Sequence, residues 1–189
     1  MPTRSKITTL IDTSAISLRK ATIDDLGLLQ WWDEQPHVTA SDPDDDWHWE
    51  TELHRTPPWR EQLIATLQGR PIGFVQIIDP AAEESHYWGK VGEGLRAIDI
   101  WIGEAADLGK GYGTEMMRQA ISRCFEDTAV TTILIDPLAS NTRAHRFYER
   151  LGFIFLKPQR FGTDECYVYS LSRSNWLMKD ATAGTKPSR

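Results

Sequence analysis

Apolar residues along the chain recur with two periods, and the points where the period changes predict an alternation of strands and helices. Ile16 to Ala21 alternates apolar and polar positions and predicts a short strand. Thr22 precedes Asp25 by three residues, a capping-box-like start with Asp in place of Glu. Leu26, Leu29 and Trp32 continue at helical spacing, so a helix is predicted to about Glu34, stopped by Pro36. Residues 36 to 60 are irregular; Asp46 there reads as the cap of a second helix reaching His54. Gln62–Leu67 and Pro71–Ile78 read as two strands of a hairpin turning at Gln68-Gly69-Arg70. A polar loop, 79–94, separates them from a strand at Leu95–Ile102.

The second half repeats the alternation. Met116, Met117, Ala120, Ile121, Cys124 and Phe125 form the apolar side of a helix predicted from Thr114 to about Asp127. Thr131–Ile135 is β-branched and reads as a buried strand ending at Asp136-Pro137. Ser140 or Asn141 caps a helix with Ala144, Phe147, Tyr148 and Leu151 on one face, and Gly152 ends it. Strands at Phe153–Lys157 and Cys166–Leu171 follow, with a turn at Gly162-Thr163-Asp164. Residues 16–178 are thus expected to form one domain between an N-terminal arm, 1–15, and a C-terminal tail, 179–189.

Composition narrows the function. The 189 residues carry a formal charge of −6 and no long basic block, which argues against nucleic acid and for a small cationic partner. Cys124 and Cys166 are the only cysteines, too few for a disulfide framework or a four-cysteine zinc site. His48 and His54 lack a third ligand at a recognisable spacing, so no metal is expected. Both cysteines lie in apolar patterns, consistent with reduced, buried thiols and a cytoplasmic protein. No apolar run approaches the ~20 residues that span a bilayer, and no apolar core follows Arg4 and Lys6 as a signal peptide requires. A monomer or weak homodimer without membrane attachment is expected.

The stretch between the Leu95–Ile102 strand and the following helix carries the clearest chemistry. In Leu108-Gly109-Lys110-Gly111-Tyr112-Gly113-Thr114, alternate glycines permit positive φ and close backbone approach. The helix start behind them offers unpaired N–H groups and a positive dipole end, a cradle for phosphate. Asp99 lies between apolar Ile98 and Ile100, where a buried carboxylate needs a partner, either a substrate or an arginine such as Arg96. Trp47 and Trp49 read either as packing or as an aromatic wall over a substrate site, and Tyr148 either as core or as an acid.

This order of elements, with the glycine turn and with Asn141, Ala144, Tyr148, Gly152 and Phe153 behind it, resembles the GNAT superfamily of acyl-CoA-dependent N-acetyltransferases. Leu108 departs from the family's usual Gln or Arg. Ile98-Asp99, Leu108-Gly109-Lys110-Gly111, Asp136-Pro137, Ser140-Asn141 and Tyr148-Glu149 look in particular like aminoglycoside 6′-N-acetyltransferases. The resemblance implies an α/β (α+β) fold: a mixed, mostly antiparallel sheet of about six to seven strands, flanked by about four helices and splayed at the acetyl-CoA site. It implies coenzyme contacts from Ile100, Trp101, Ile102, residues 108–114, Asn141 and Ala144. It further implies that Asp99, Asp136 and Tyr148 are catalytic, and that Trp47, Trp49, Asp99, Asp136 and Asp164 face a cationic amine. The siderophore-type lysine N-acetyltransferases share much of this pattern, and a non-catalytic acyl-CoA-binding module is the competing reading outside enzymes.

Overall fold

The computed structural model describes residues 15–41, 43 and 46–183. Seven strands form one sheet in the order β1-β2-β3-β4-β5-β7-β6. They are β1 (Ile16–Lys20), β2 (Arg60–Leu67), β3 (Arg70–Ile78), β4 (Leu95–Ile102), β5 (Thr132–Ile135), β6 (Ile154–Phe161) and β7 (Asp164–Ser172). Every neighbouring pair is antiparallel except β4 with β5. That exception positions the site. Leu95–Ala97 pair with Thr132–Leu134, but β4 then runs on to Ile102 against β3 while β5 ends at Ile135. The sheet therefore opens beyond Ala97 and leaves the outer half of β4 without a neighbour on that side.

Helix α4 (Tyr112–Cys124) packs against β1, β3 and β4 through Met116, Met117, Ala120, Ile121 and Cys124, with Ile72, Val75, Ile98 and Ile133 in the same core. Helix α5 (Thr142–Leu151) adds Tyr148 and Leu151 to this core. A second core on the far side holds Leu29 and Trp32 of α1 (Leu26–Asp33), Trp49 of α3 (Trp49–Glu52), Ile64 and Phe74. Asp25 accepts the Thr22 N–H at 2.9 Å and pairs with Arg19 at 2.6 Å, which fixes the start of α1 to β1.

Three expectations change. Pro36 does not only stop a helix; it opens α2 (Pro36–Thr39), because proline at the first helical position gives up no needed N–H. The helix predicted from Asp46 to His54 shortens to α3, since His48 adopts φ 46° immediately before it. The tail expected from residue 179 begins inside α6 (Arg173–Ala183). Its anchors are Trp176, which is buried, and Arg173, whose guanidinium donates to the carbonyls of Phe125, Asp127 and Val130. Exposed Leu177 and Met178 obscure the helical period there. The expected N-terminal arm at 1–14, residues 42, 44 and 45 of the acidic loop, and 184–189 of the tail lie outside the described residues. No helix among the described residues is long and apolar enough to cross a membrane.

Candidate active site

The opened edge of the sheet carries a cleft of about 650 Å³ between β4, the start of α4 and α5. Gly111 is the N-cap of α4 at φ 85°, and Gly109 lies at φ 75°, a backbone region in which side chains are strained. Gly113 is inside the helix and needs no positive φ; its free surface faces Ile102 and Phe147 at contact distance. Behind the turn, buried Asp107 accepts from Arg70 at 2.7 Å and from Lys110 at 3.0 Å. Those cations hold its carboxyl below the usual range, the Arg70 hydrogen bond being the largest influence. The turn is thus tied to β3 with its N–H groups and the helix dipole left toward the cleft. Asn141 caps α5 by accepting the Ala144 N–H at 3.0 Å. Arg143 and Arg150 add positive charge to the lining. This glycine cradle, helix start and arginine rim fit a phosphate-bearing coenzyme.

Sequence expectations and geometry agree unevenly here. Ile100, Trp101, Ile102, Leu108, Gly109, Gly111, Tyr112, Gly113, Thr114, Asn141, Ala144 and Tyr148 all line this cleft. Lys110 does not; its ammonium is directed to Asp107. His37, Ala40 and Ser41 also line it, and nothing in the sequence announced them. They arrive because the His37 Nε2 donates to the Ile102 carbonyl at 2.8 Å, pinning α2 to the end of β4.

A second cleft of about 630 Å³ lies along the inner part of β4, where Ala97 and Asp99 face it. Its lining holds seven carboxylates, Asp46, Glu52, Glu83, Glu84, Asp99, Asp136 and Asp164, against two guanidinium groups, Arg55 and Arg60. Arg55 spans Glu52 at 2.9 Å and Glu84 at 2.6 Å, and Arg60 reaches Glu52 at 2.5 Å, so the excess negative charge rests on the remaining acids. Asp99 accepts from the Gln76 amide at 2.9 Å, and the Gln76 oxygen in turn accepts from Gln62 at 3.2 Å. The arginine expected as the partner of Asp99 is engaged elsewhere: Arg96 bonds Asp79 and Asp127, each at 3.2 Å. Asp136 accepts from the Tyr87 hydroxyl at 2.7 Å. Burial pushes the Asp136 carboxyl up to about 6, against the lowering effect of Tyr87 and of its own backbone N–H. Trp47 lines this cleft, but Trp49 does not. Trp49 is buried behind Trp47, stacked at 5.1 Å, with its indole N–H donated to Asp33; burial assigns it to packing, not to the substrate wall.

Tyr148 links the two clefts. It lines the first and is buried, yet the charges that act on it are Asp99 and Asp136 of the second. Burial first, and then those carboxylates, push its phenol above the ordinary value, so it stays protonated and able to donate at neutral pH. One cleft suited to an anionic coenzyme and one suited to a cation therefore meet along β4 beside a proton donor.

Residues 22–161 match the family model described as acetyltransferase (GNAT) domain. The chain belongs to the GNAT acetyltransferase family. It is 32% identical over 153 residues to an aminoglycoside N(6′)-acetyltransferase type 1 from Klebsiella pneumoniae, covering 74% of each chain. Among solved structures it resembles aminoglycoside acetyltransferase AAC(6′)-Ib in complex with coenzyme A, with TM-score 0.78, 27% identity, and coverage of 87% of this chain and 99% of that one. The same enzyme in complex with coenzyme A and kanamycin gives TM-score 0.78 at 28% identity, with the same coverage. The seven-stranded, mostly antiparallel sheet is the GNAT fold, and acetyl-CoA is the coenzyme of this family's acetyl transfer.

Other residues of this GNAT chain's acidic cleft escaped the sequence pattern because they come from a loop and from strand interiors. Tyr87 and Trp88 lie in the β3–β4 loop, Gln62 and Gln76 on adjacent strands, and Phe161 at the end of β6. The two glutamines are buried polar residues in otherwise apolar strands, the one signal that could have marked them.

Proposed function

We propose that this protein transfers the acetyl group of acetyl-CoA to the 6′ amine of an aminoglycoside. The observation that carries this reading is the second cleft, whose carboxylates outnumber its arginines seven to two along the inner part of β4. A polycationic sugar amine gains direct Coulomb attraction there, whereas an anionic amine is repelled. The similar enzymes described above act on, or are bound to, such amines.

Acetyl-CoA supplies an activated thioester carbonyl. The protein's residues must then handle two protons. An alkyl ammonium with a pKa of about 10 is not nucleophilic until it loses one. Asp99, oriented by Gln76, takes that proton directly or through one ordered water. Asp136 holds a neighbouring positive charge of the acceptor in register. The amine nitrogen forms the new bond to carbonyl carbon as the carbon–sulfur bond breaks. Tyr148 gives its phenolic proton to the departing sulfur and is reprotonated by the second proton, which the acylated nitrogen sheds. No metal is needed, because the thioester is already activated.

Thiol release from acetyl-CoA, measured with kanamycin, with a lysine-derived hydroxamate precursor amine and without acceptor, tests this reading. Kanamycin-dependent release with acetylation at the 6′ amine is expected. Release with the lysine derivative alone would move the protein to the siderophore-type enzymes. Acetyl-CoA binding without turnover of any amine would make it a binding module.

A further inference from the structure

Tyr87 is held at three points, none of which the transfer chemistry itself requires. Its hydroxyl donates to Asp136 Oδ2 at 2.7 Å. Its ring stacks on Phe161 at 4.4 Å between centroids and 6° between planes, with Trp88 edge-on to both. Its backbone N–H donates to Glu83 at 3.0 Å. Glu83 is buried, and its other oxygen takes the Ser85 N–H at 2.6 Å, so a carboxylate inside the loop is spent on shaping the loop. His86, between them, sits at φ 54°, a left-handed conformation that a non-glycine residue adopts only when its surroundings enforce it. The loop is thus built to deliver one phenol to one carboxylate.

We propose that Tyr87 is a positioning residue of the acceptor site: it fixes the orientation of Asp136 and occupies Oδ2, leaving Oδ1 to take the acceptor ammonium. Glu83 acts at one remove, by holding Tyr87. This rests on the acceptor site assigned under the proposed function. The phenol also favours the ionised carboxylate, because a donated hydrogen bond stabilises the charged form. The titratable groups that act most strongly on this pair and on neighbouring Tyr148 are Asp99 on β4 and Cys166 on β7, neither of them cationic. The cleft also holds His48, Glu83 and Asp164, and its arginines, Arg55 and Arg60, are bound to Glu52 and Glu84. The hydroxyl is therefore the larger of the two dipoles that offset burial at Asp136, the other being its own backbone N–H.

Two measurements on full-length protein test this. Carboxyl ¹³C NMR of the ligand-free protein follows the titration of Asp136 without reference to any substrate. In Tyr87→Phe the Asp136 midpoint should rise by about half a pH unit or more. In Glu83→Gln it should rise by less, and the double variant should not exceed Tyr87→Phe. An unchanged midpoint in Tyr87→Phe overturns the proposal. Steady-state kinetics then separate positioning from mere structure. Tyr87→Phe should raise the KM for kanamycin about three- to tenfold, with kcat and the KM for acetyl-CoA within twofold, since water replaces part of the lost bond. The acid limb of kcat/KM should move with the NMR midpoint. A kanamycin KM within twofold of the parent also overturns the proposal. If the parent protein does not turn over kanamycin, the functional reading fails, and the NMR titration still decides what Tyr87 does to Asp136.

Discussion

Asp136→Asn should make the protein more stable and a poorer enzyme, and the gain in stability should depend on pH. The folded carboxyl sits at about 6 against an ordinary value of 3.8. Between those values the native state holds its proton more tightly than the unfolded chain, so stability falls as pH rises through that window. Each pKa unit corresponds to about 1.36 kcal/mol, so ionising Asp136 costs about 1 kcal/mol at pH 4.5 and about 3 kcal/mol at pH 7.5. Both are upper figures, because Asp136 opens onto a solvated cleft. Asparagine keeps an oxygen for the Tyr87 hydroxyl and carries no charge at either pH. The stability of Asp136→Asn relative to the parent should therefore increase by up to about 2 kcal/mol between pH 4.5 and 7.5. Urea unfolding followed by tryptophan fluorescence at the two pH values measures it, with eight tryptophans as reporters. A difference that is flat with pH, or that shrinks as pH rises, would refute the argument that burial raises this group. The same variant should bind the acceptor more weakly above about pH 6, where the parent carboxyl is ionised, with the deficit shrinking as pH falls.

Four further variants have outcomes that follow from the geometry. Gly111→Val should raise the acetyl-CoA dissociation constant about tenfold or more in a folded protein, because φ 85° is strained for a side chain at the cradle; isothermal titration checks it. Asp99→Asn should lower kcat/KM about 10²- to 10⁴-fold without weakening acetyl-CoA, whereas Tyr148→Phe should lower kcat with little change in either KM; a loss confined to acceptor KM would reduce Asp99 to a binding residue. Gly103→Ala should destabilise the fold by roughly 3 kcal/mol or more, since a Cβ there would lie 2.0 Å from the Trp32 ring; a thermal midpoint unchanged from the parent would show that α1 can move away.

Where periodicity was strong, local physics decided the element. The strand Leu95–Ile102 has the limits that its pattern predicts, and Asn141 and Gly152 cap α5 as their side-chain oxygen and missing Cβ require. The glycine cradle was legible for the same reason, because closely spaced glycines at the start of an amphipathic helix are a local signal. Elements held by distant partners were not legible. Helix α6 depends on Trp176 entering the core and on Arg173 capping carbonyls over 40 residues away in sequence, so its own pattern is weak. The site divides in the same way. Chain-local motifs marked Asp99, Asp136 and Tyr148, but they could not separate Trp47, which lines the acidic cleft, from Trp49, which is buried behind it. Nor could they supply His37 or Tyr87, whose places follow from bonds to Ile102 and Asp136. The parting of β4 from β5 sets the two clefts side by side, and it follows from strand pairing across the sheet, which no local spacing encodes.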